Sequence, residues 1–158
     1  MKKYYILSLL FVCTISLFSQ RGKDGAGSIT VANSTVNIYT PLTANASLTS
    51  VLTVSSTTGF SAGDLVMIIQ MQGASVNAVS DFPWIDPTNS LPADTSMGRI
   101  TNYNEAGNHE FAQVNSVLSA TSLSLDCAIS KNYTSTGKTQ VIRVPRYTTL
   151  LISGAGFT

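Results

Sequence analysis

FSAGDLVMIIQMQG, residues Phe60 to Gly73, is the stretch whose reading decides the fold. Leu65 to Ile69 is an unbroken apolar run, bounded by Gly63-Asp64 before it and Gly73 after it. A run this short between turn signals reads as a core strand, Leu65 to Met71, apolar enough to be buried on both faces. Gly63 takes a positive φ at no steric cost, so Ser61-Ala62-Gly63-Asp64 predicts a turn. Asp64 is expected to accept backbone N–H bonds within it. Phe60 stands just before that turn, placed to pack back on the strand.

On either side lie similar short segments. Ser28 to Asn33, Thr35 to Thr40 and Leu48 to Val54 read as strands before it, with Pro41 ending the second. Arg99 to Tyr103, Glu110 to Leu118, Leu123 to Cys127, Thr139 to Val144 and Tyr147 to Ile152 follow. Strands spaced about ten residues apart, joined by Gly, Ser and Asn turns, predict an all-β fold: an antiparallel β-sandwich or small β-barrel. The expected core is Val54, Phe60, Val66, Ile68, Phe111, Val114, Leu123, Leu125, Val141 and Ile142. Cys127, with Leu125 and Ala128 as neighbours, is expected to be a small buried hydrophobe.

The first twenty residues are MKKYYILSLLFVCTISLFSQ. Lys2 and Lys3 form a basic n-region, and Ile6 to Phe18 an apolar h-region of signal-peptide length. The domain reading is therefore a signal peptide at 1–19, a β-domain at 20–146 and a further β region beginning at 147–158. Gln20 to Ser28 is read as a lead-in. No transmembrane segment is expected after cleavage, because the h-region is short for a span. Loss of Lys2 and Lys3 leaves seven basic residues against eight acidic, a net charge of −1. That balance gives no bulk attraction for nucleic acid.

Residues 74–97 form a long loop rich in Pro and Asp, holding the sole tryptophan, Trp84. Loops of this length commonly carry function. Trp84 and Tyr103 offer aromatic faces on which a sugar ring could stack, with Asp86 as a polar contact. The alternative is an aromatic cluster that pins the loop. Asp81, Asp86 and Asp94 do not match the spacing of an EF-hand, so no metal site is expected. His109-Glu110 lacks the second histidine of a zinc motif, and no G-x-S-x-G is present. No catalytic residue and no cofactor is assigned.

Three segments carry a resemblance: FSAGDLVMIIQMQGA at 60–74, GRITNYNEAGNHEFAQVNSV at 98–117 and TQVIRVPRYTTLLI at 139–152. Together they resemble the N-terminal β-domain of large exported surface or adhesin-like proteins of Bacteroidetes type, associated with type IX secretion. The Phe60-x-x-Gly63-Asp64-x-Val66 element also resembles a small β-module that precedes β-helices in tail-spike and polysaccharide-lyase-like proteins. The resemblance implies a secreted or cell-surface location and a β-helix-like or glycine-rich region beyond this domain. Tyr147 to Ile152 would then begin a β-solenoid. The function implied is non-enzymatic adhesion or structural presentation, with surface polysaccharide or other cell-surface components as partners. The competing function is an accessory domain of a β-helix polysaccharide lyase or hydrolase.

Overall fold

The computed structural model describes residues 22–77 and 100–154. The signal-peptide reading, most of the long loop, and Trp84 and Asp86 lie outside the described residues. The chain divides into two units: Thr35–Val144, and Met1–Ser34 with Pro145–Thr158. The smaller unit holds β1 (Ala26–Ile29) and β12 (Thr149–Ile152). The larger holds β2 (Tyr39–Pro41), β3 (Ala46–Ser47), β4 (Val51–Thr53), β5 (Leu65–Gln70) and β6 (Ser75–Val76). It continues with β7 (Ile100–Asn102), β8 (His109–Ser119), β9 (Ser122–Leu125), β10 (Asn132–Tyr133) and β11 (Thr139–Val144). The fold is all-β, with no helix among the described residues.

In the larger unit one antiparallel sheet runs β2-β11-β5-β8-β9-β4. It curls until its two outer strands meet. A bridge between Leu42 and Val54 joins them. Beside it, Thr43 N–H donates to the Thr53 carbonyl at 2.9 Å and Ser55 N–H to the Pro41 carbonyl at 3.0 Å. Closing the sheet satisfies the main-chain groups an open edge would expose. The bend is made in β8. Its first half pairs with β5 and its second with β9, with register shifts at Val114/Ser116 and Val117/Ser119. Such bulges sharpen the local twist and let one strand serve two sides of a barrel.

The barrel interior holds Leu42, Leu52, Val54, Phe60, Val66, Ile68, Val114, Leu123, Leu125, Ile129, Tyr133 and Val141. Eight of the ten expected core residues are buried. Phe111 and Ile142 are not: Phe111 is exposed and Ile142 half-buried. The reason is register. Met67 pairs with both Phe111 and Ile142, and side chains directly opposite share a face. Met67 points outward, so its partners do too. The reading of β5 as buried on both faces is corrected in the same way. Val66, Ile68 and Gln70 are buried, whereas Leu65, Met67 and Ile69 are only half-buried. Cys127 is exposed, not buried. β9 ends at Leu125, so the alternation that would have turned Cys127 inward stops two residues short.

Polar groups close β5 at both ends. Asp64, 1% exposed, precedes the strand. Its Oδ2 accepts the Ser61 N–H at 2.7 Å and lies 3.1 Å from Arg143 Nε. Gly63, at φ 82°, makes the turn and donates its N–H to the Val114 carbonyl at 2.6 Å. The turn and its carboxylate acceptor are as the sequence indicated.

At the far end Gln70 is equally buried. Its Nε2 donates to the carbonyls of Gln72 at 2.8 Å and Asn104 at 2.9 Å. Its Oε1 accepts the Thr134 N–H at 2.8 Å and the Thr139 hydroxyl at 3.3 Å. Gly137 packs against this amide, and a Cβ there would lie 2.7 Å from the Gln72 carbonyl oxygen.

The smaller unit is a parallel pair. Ala26 to Ile29 run in register with Thr149 to Ile152. Thr148 N–H donates to the Gly25 carbonyl at 2.8 Å and Ser153 N–H to the Ile29 carbonyl at 3.0 Å. The lead-in reading of 20–28 is thus corrected, since β1 begins at Ala26. β12 is exposed along its whole length, including Leu150, Leu151 and Ile152.

Replacing Gln70 by Ala leaves the Asn104 and Gln72 carbonyls and the Thr134 N–H buried without their partner. The expected loss is about 3 kcal/mol, from the cost of unsatisfied buried groups. Urea unfolding should show a lower midpoint at unchanged slope. Gly137→Ala is expected to destabilise as well, by collision with the same amide.

Candidate binding face

The register places three rows of side chains on the outside of the barrel. The central row is Tyr39, Ile142, Met67 and Phe111, across β2, β11, β5 and β8. One row to the side runs Pro41, Gln140, Ile69 and His109. On the other side are Val144, Leu65 and Gln113. Tyr39 is 63% exposed and Phe111 59%. Ile142, Met67, Ile69 and Leu65, between them, are half-buried. The result is an apolar strip across the outside of the curled sheet with an aromatic ring at each end. Strands lie about 4.8 Å apart, so three spacings separate Tyr39 from Phe111 by about 14 Å measured along the sheet.

None of these side chains is an Asp, Glu, Lys or Arg. Their hydrogen-bonding groups are two amides, a phenol and an imidazole. His109 Nδ1 stands 3.1 Å from the Gly107 carbonyl. A carbonyl only accepts, so Nδ1 carries the hydrogen, and in the neutral ring Nε2 is left as an acceptor.

The next residue, Glu110, points to the other side of β8 and ties down the segment after β9. Its carboxylate accepts the Ser130 N–H and hydroxyl, each at 2.9 Å, and the Lys131 N–H at 3.2 Å. Lys131 Nζ donates to the His109 carbonyl at 3.0 Å. Burial alone would raise the Glu110 pKa. The bonds from Ser130, Tyr133 and Lys131 outweigh it and hold the carboxyl below its ordinary value. The buried Tyr133 hydroxyl sits beside this carboxylate. Burial first, then Glu110, pushes its pKa well above the usual tyrosine range.

Of the residues the sequence singled out, Tyr103 is described and is 66% exposed. It lies on the loop between β7 and β8, not in the three rows. That loop is held by Asn104 N–H to Asn102 Oδ1 at 2.9 Å and Ala106 N–H to the Tyr103 carbonyl at 2.9 Å. Trp84 and Asp86 are outside the described residues. Tyr39 and Phe111 were missed as surface aromatics. The signal was available for Phe111: it alternates with Ala112 and Val114 and shares its face with Gln113 and Asn115. Among the described residues no group of three His, Cys, Asp or Glu could hold a metal ion. No helix among them is long and apolar enough to cross a membrane.

No protein-family model matches this sequence, and no curated protein matches it. Solved structures of phage tailspikes do. The tailspike of Acinetobacter baumannii bacteriophage AP22, in complex with A. baumannii capsular saccharide, matches at 15% identity and TM-score 0.42, over 82% of this chain and 16% of that one. The tailspike of Pseudomonas phage phi297 matches at 14% and 0.43, over 85% and 19%. That of Pseudomonas phage LKA1 matches at 16% and 0.40, over 82% and 22%. The chain thus spans about a fifth of their lengths, and the functional reading rests on the barrel's own geometry.

Glu110 is held ionised by its partners, so its stabilising effect is full above the ordinary carboxylate pKa of about 4.3. It fades as pH falls through the lower folded value. Glu110→Gln is therefore expected to be less stable than wild type at pH 7, with the gap closing as pH falls below the ordinary carboxylate pKa. Thermal unfolding of both proteins across that range checks this.

Proposed function

We propose that the barrel is a non-enzymatic saccharide-binding module of an exported surface protein, used for adhesion or structural presentation. The observation that carries this reading is the outward row Tyr39, Ile142, Met67 and Phe111. Sugar rings present C–H faces that pack on aromatic rings while their hydroxyls stay in water, and amides at the margin bond those hydroxyls. Size also favours a glycan. Three rows across four strands cover about 300–400 Å², from strand spacing and rise. A stable protein interface takes about 800 Å² from each partner.

The segments at 60–74, 98–117 and 139–152 support placing the module in the Bacteroidetes-type surface proteins they resemble. Trp84, Tyr103 and Asp86 are carried forward as further contacts, and the exposure of Tyr103 supports its part. The parallel pairing of β1 with β12 favours one further reading, that residues 147–158 begin a β-solenoid. An accessory role beside a β-helix lyase or hydrolase would follow from that continuation.

Tyr39→Ala and Phe111→Ala remove exposed rings, so stability should change by only about 0.5 kcal/mol. Binding on a glycan array is expected to fall at least tenfold with each, by the loss of about 1.4 kcal/mol of stacking. Retained binding in both variants would move the site to Trp84, for which Trp84→Ala is the matching test.

A further inference from the structure

Resting on the saccharide reading, we infer that this face takes the interior of a neutral polysaccharide chain, lying across the strands with one sugar on Tyr39 and another on Phe111.

Two observations carry this. The first is charge. The three outer rows contain no Asp, Glu, Lys or Arg. Four of the charges near it have partners of their own. Arg143 and Asp64 pair with each other, Glu110 is bonded to Ser130 and Lys131, and the Lys131 ammonium is held by the His109 carbonyl. A carboxylated or sulfated glycan laid here would lose hydration over an apolar floor without gaining a cation. A neutral chain loses nothing of the kind.

The second is spacing. Tyr39 and Phe111 are the two strongly exposed rings of the row, and they stand about 14 Å apart along the sheet, three strand spacings. One sugar ring cannot reach both. Ile142 and Met67 lie between them, half-buried, so the row's own side chains leave the path from one ring to the other open. Gln140 and His109 flank one side of that path and Gln113 the other, so hydrogen bonds are offered along the chain and not at a terminus. Such a site recognises length. Two linked sugars engage with the second contact made effectively intramolecular.

The test uses the full chain on an array of neutral and acidic oligosaccharides of one to eight sugars, followed by calorimetry on a length series of the strongest binder. The expected hits are neutral, with affinity rising about a hundredfold once the chain reaches both rings. Affinity should hold between 50 mM and 500 mM NaCl, since no ion pair is formed. Tyr39→Ala or Phe111→Ala should each flatten the length series to the value of a single sugar, and Tyr39→Phe should preserve it. Acidic hits that weaken with salt, yet are still lost in Phe111→Ala, would overturn the neutral class and leave the saccharide reading standing. A single sugar bound as tightly as a long chain would overturn the two-ring path. No glycan binding, with self-association in sedimentation that Phe111→Ala abolishes, would overturn the saccharide reading itself and make the face a contact between copies.

Discussion

The side-chain amide of Gln70 is the interaction on which one end of the barrel depends. It donates to two carbonyls and accepts from a backbone N–H and a hydroxyl. Three of those partners belong to different connections, the segment after β5, the loop before β8 and the turn between β10 and β11, and the fourth, Thr139, opens β11. A buried amide is tolerated only when it is fully bonded, and then it fixes its surroundings more tightly than an apolar residue would. The constraint reaches back into the sequence. Gly73, at φ 131°, has the Asn104 carbonyl where a Cβ would sit, and Gly137 has the amide itself there. The glycines bounding this end are consequences of one glutamine. Asp64 and Arg143 do the corresponding work where β5 begins.

That dependence explains what could be read from the sequence. β11 is found at Thr139–Val144 and the core strand at Leu65–Gln70, one residue shorter than expected. Both are set by local apolar runs between turn residues. The Gly63-Asp64 turn was legible because its chemistry lies within four residues. Tyr133 was not. It stands in the polar stretch KNYTSTGK, and it is buried because β10 pairs with β3, some 85 residues earlier. β1 was placed too late, at Ser28 to Asn33, for the same reason: the segment from Ala26 became a strand only by pairing with β12. Leu42 follows a proline that reads as a strand end, yet it forms the bridge that closes the barrel. Each miss is a long-range pairing overriding a local signal.

The candidate face illustrates a subtler limit. Loop composition drew attention to Trp84, Asp86 and Tyr103, but the three rows emerge only from register. Composition marks Phe111 as apolar; it cannot say that Met67 lies opposite it and points outward. A one-residue slip in that pairing would have buried Phe111 and dissolved the row. The candidate face is therefore a property of strand alignment, and strand alignment is held by the polar bonds at the two ends of β5.

An antiparallel strand with one face in a core is free to carry polar residues on the other. β5 does not. Leu65, Met67 and Ile69 keep its outer face apolar, and only their neighbours shelter them. Such a run exposed on an open edge would be an aggregation hazard. Here the strand is paired along both sides, by β8 and β11, so the hazard is confined to side chains. A face built on paired strands is also rigid before any ligand arrives. Its aromatic rings need no loop to order around them, so little conformational entropy is lost when they are covered. A continuous apolar run that looks wasteful for folding is in this way suited to recognition, because the strand that anchors the core also sets the spacing of the surface.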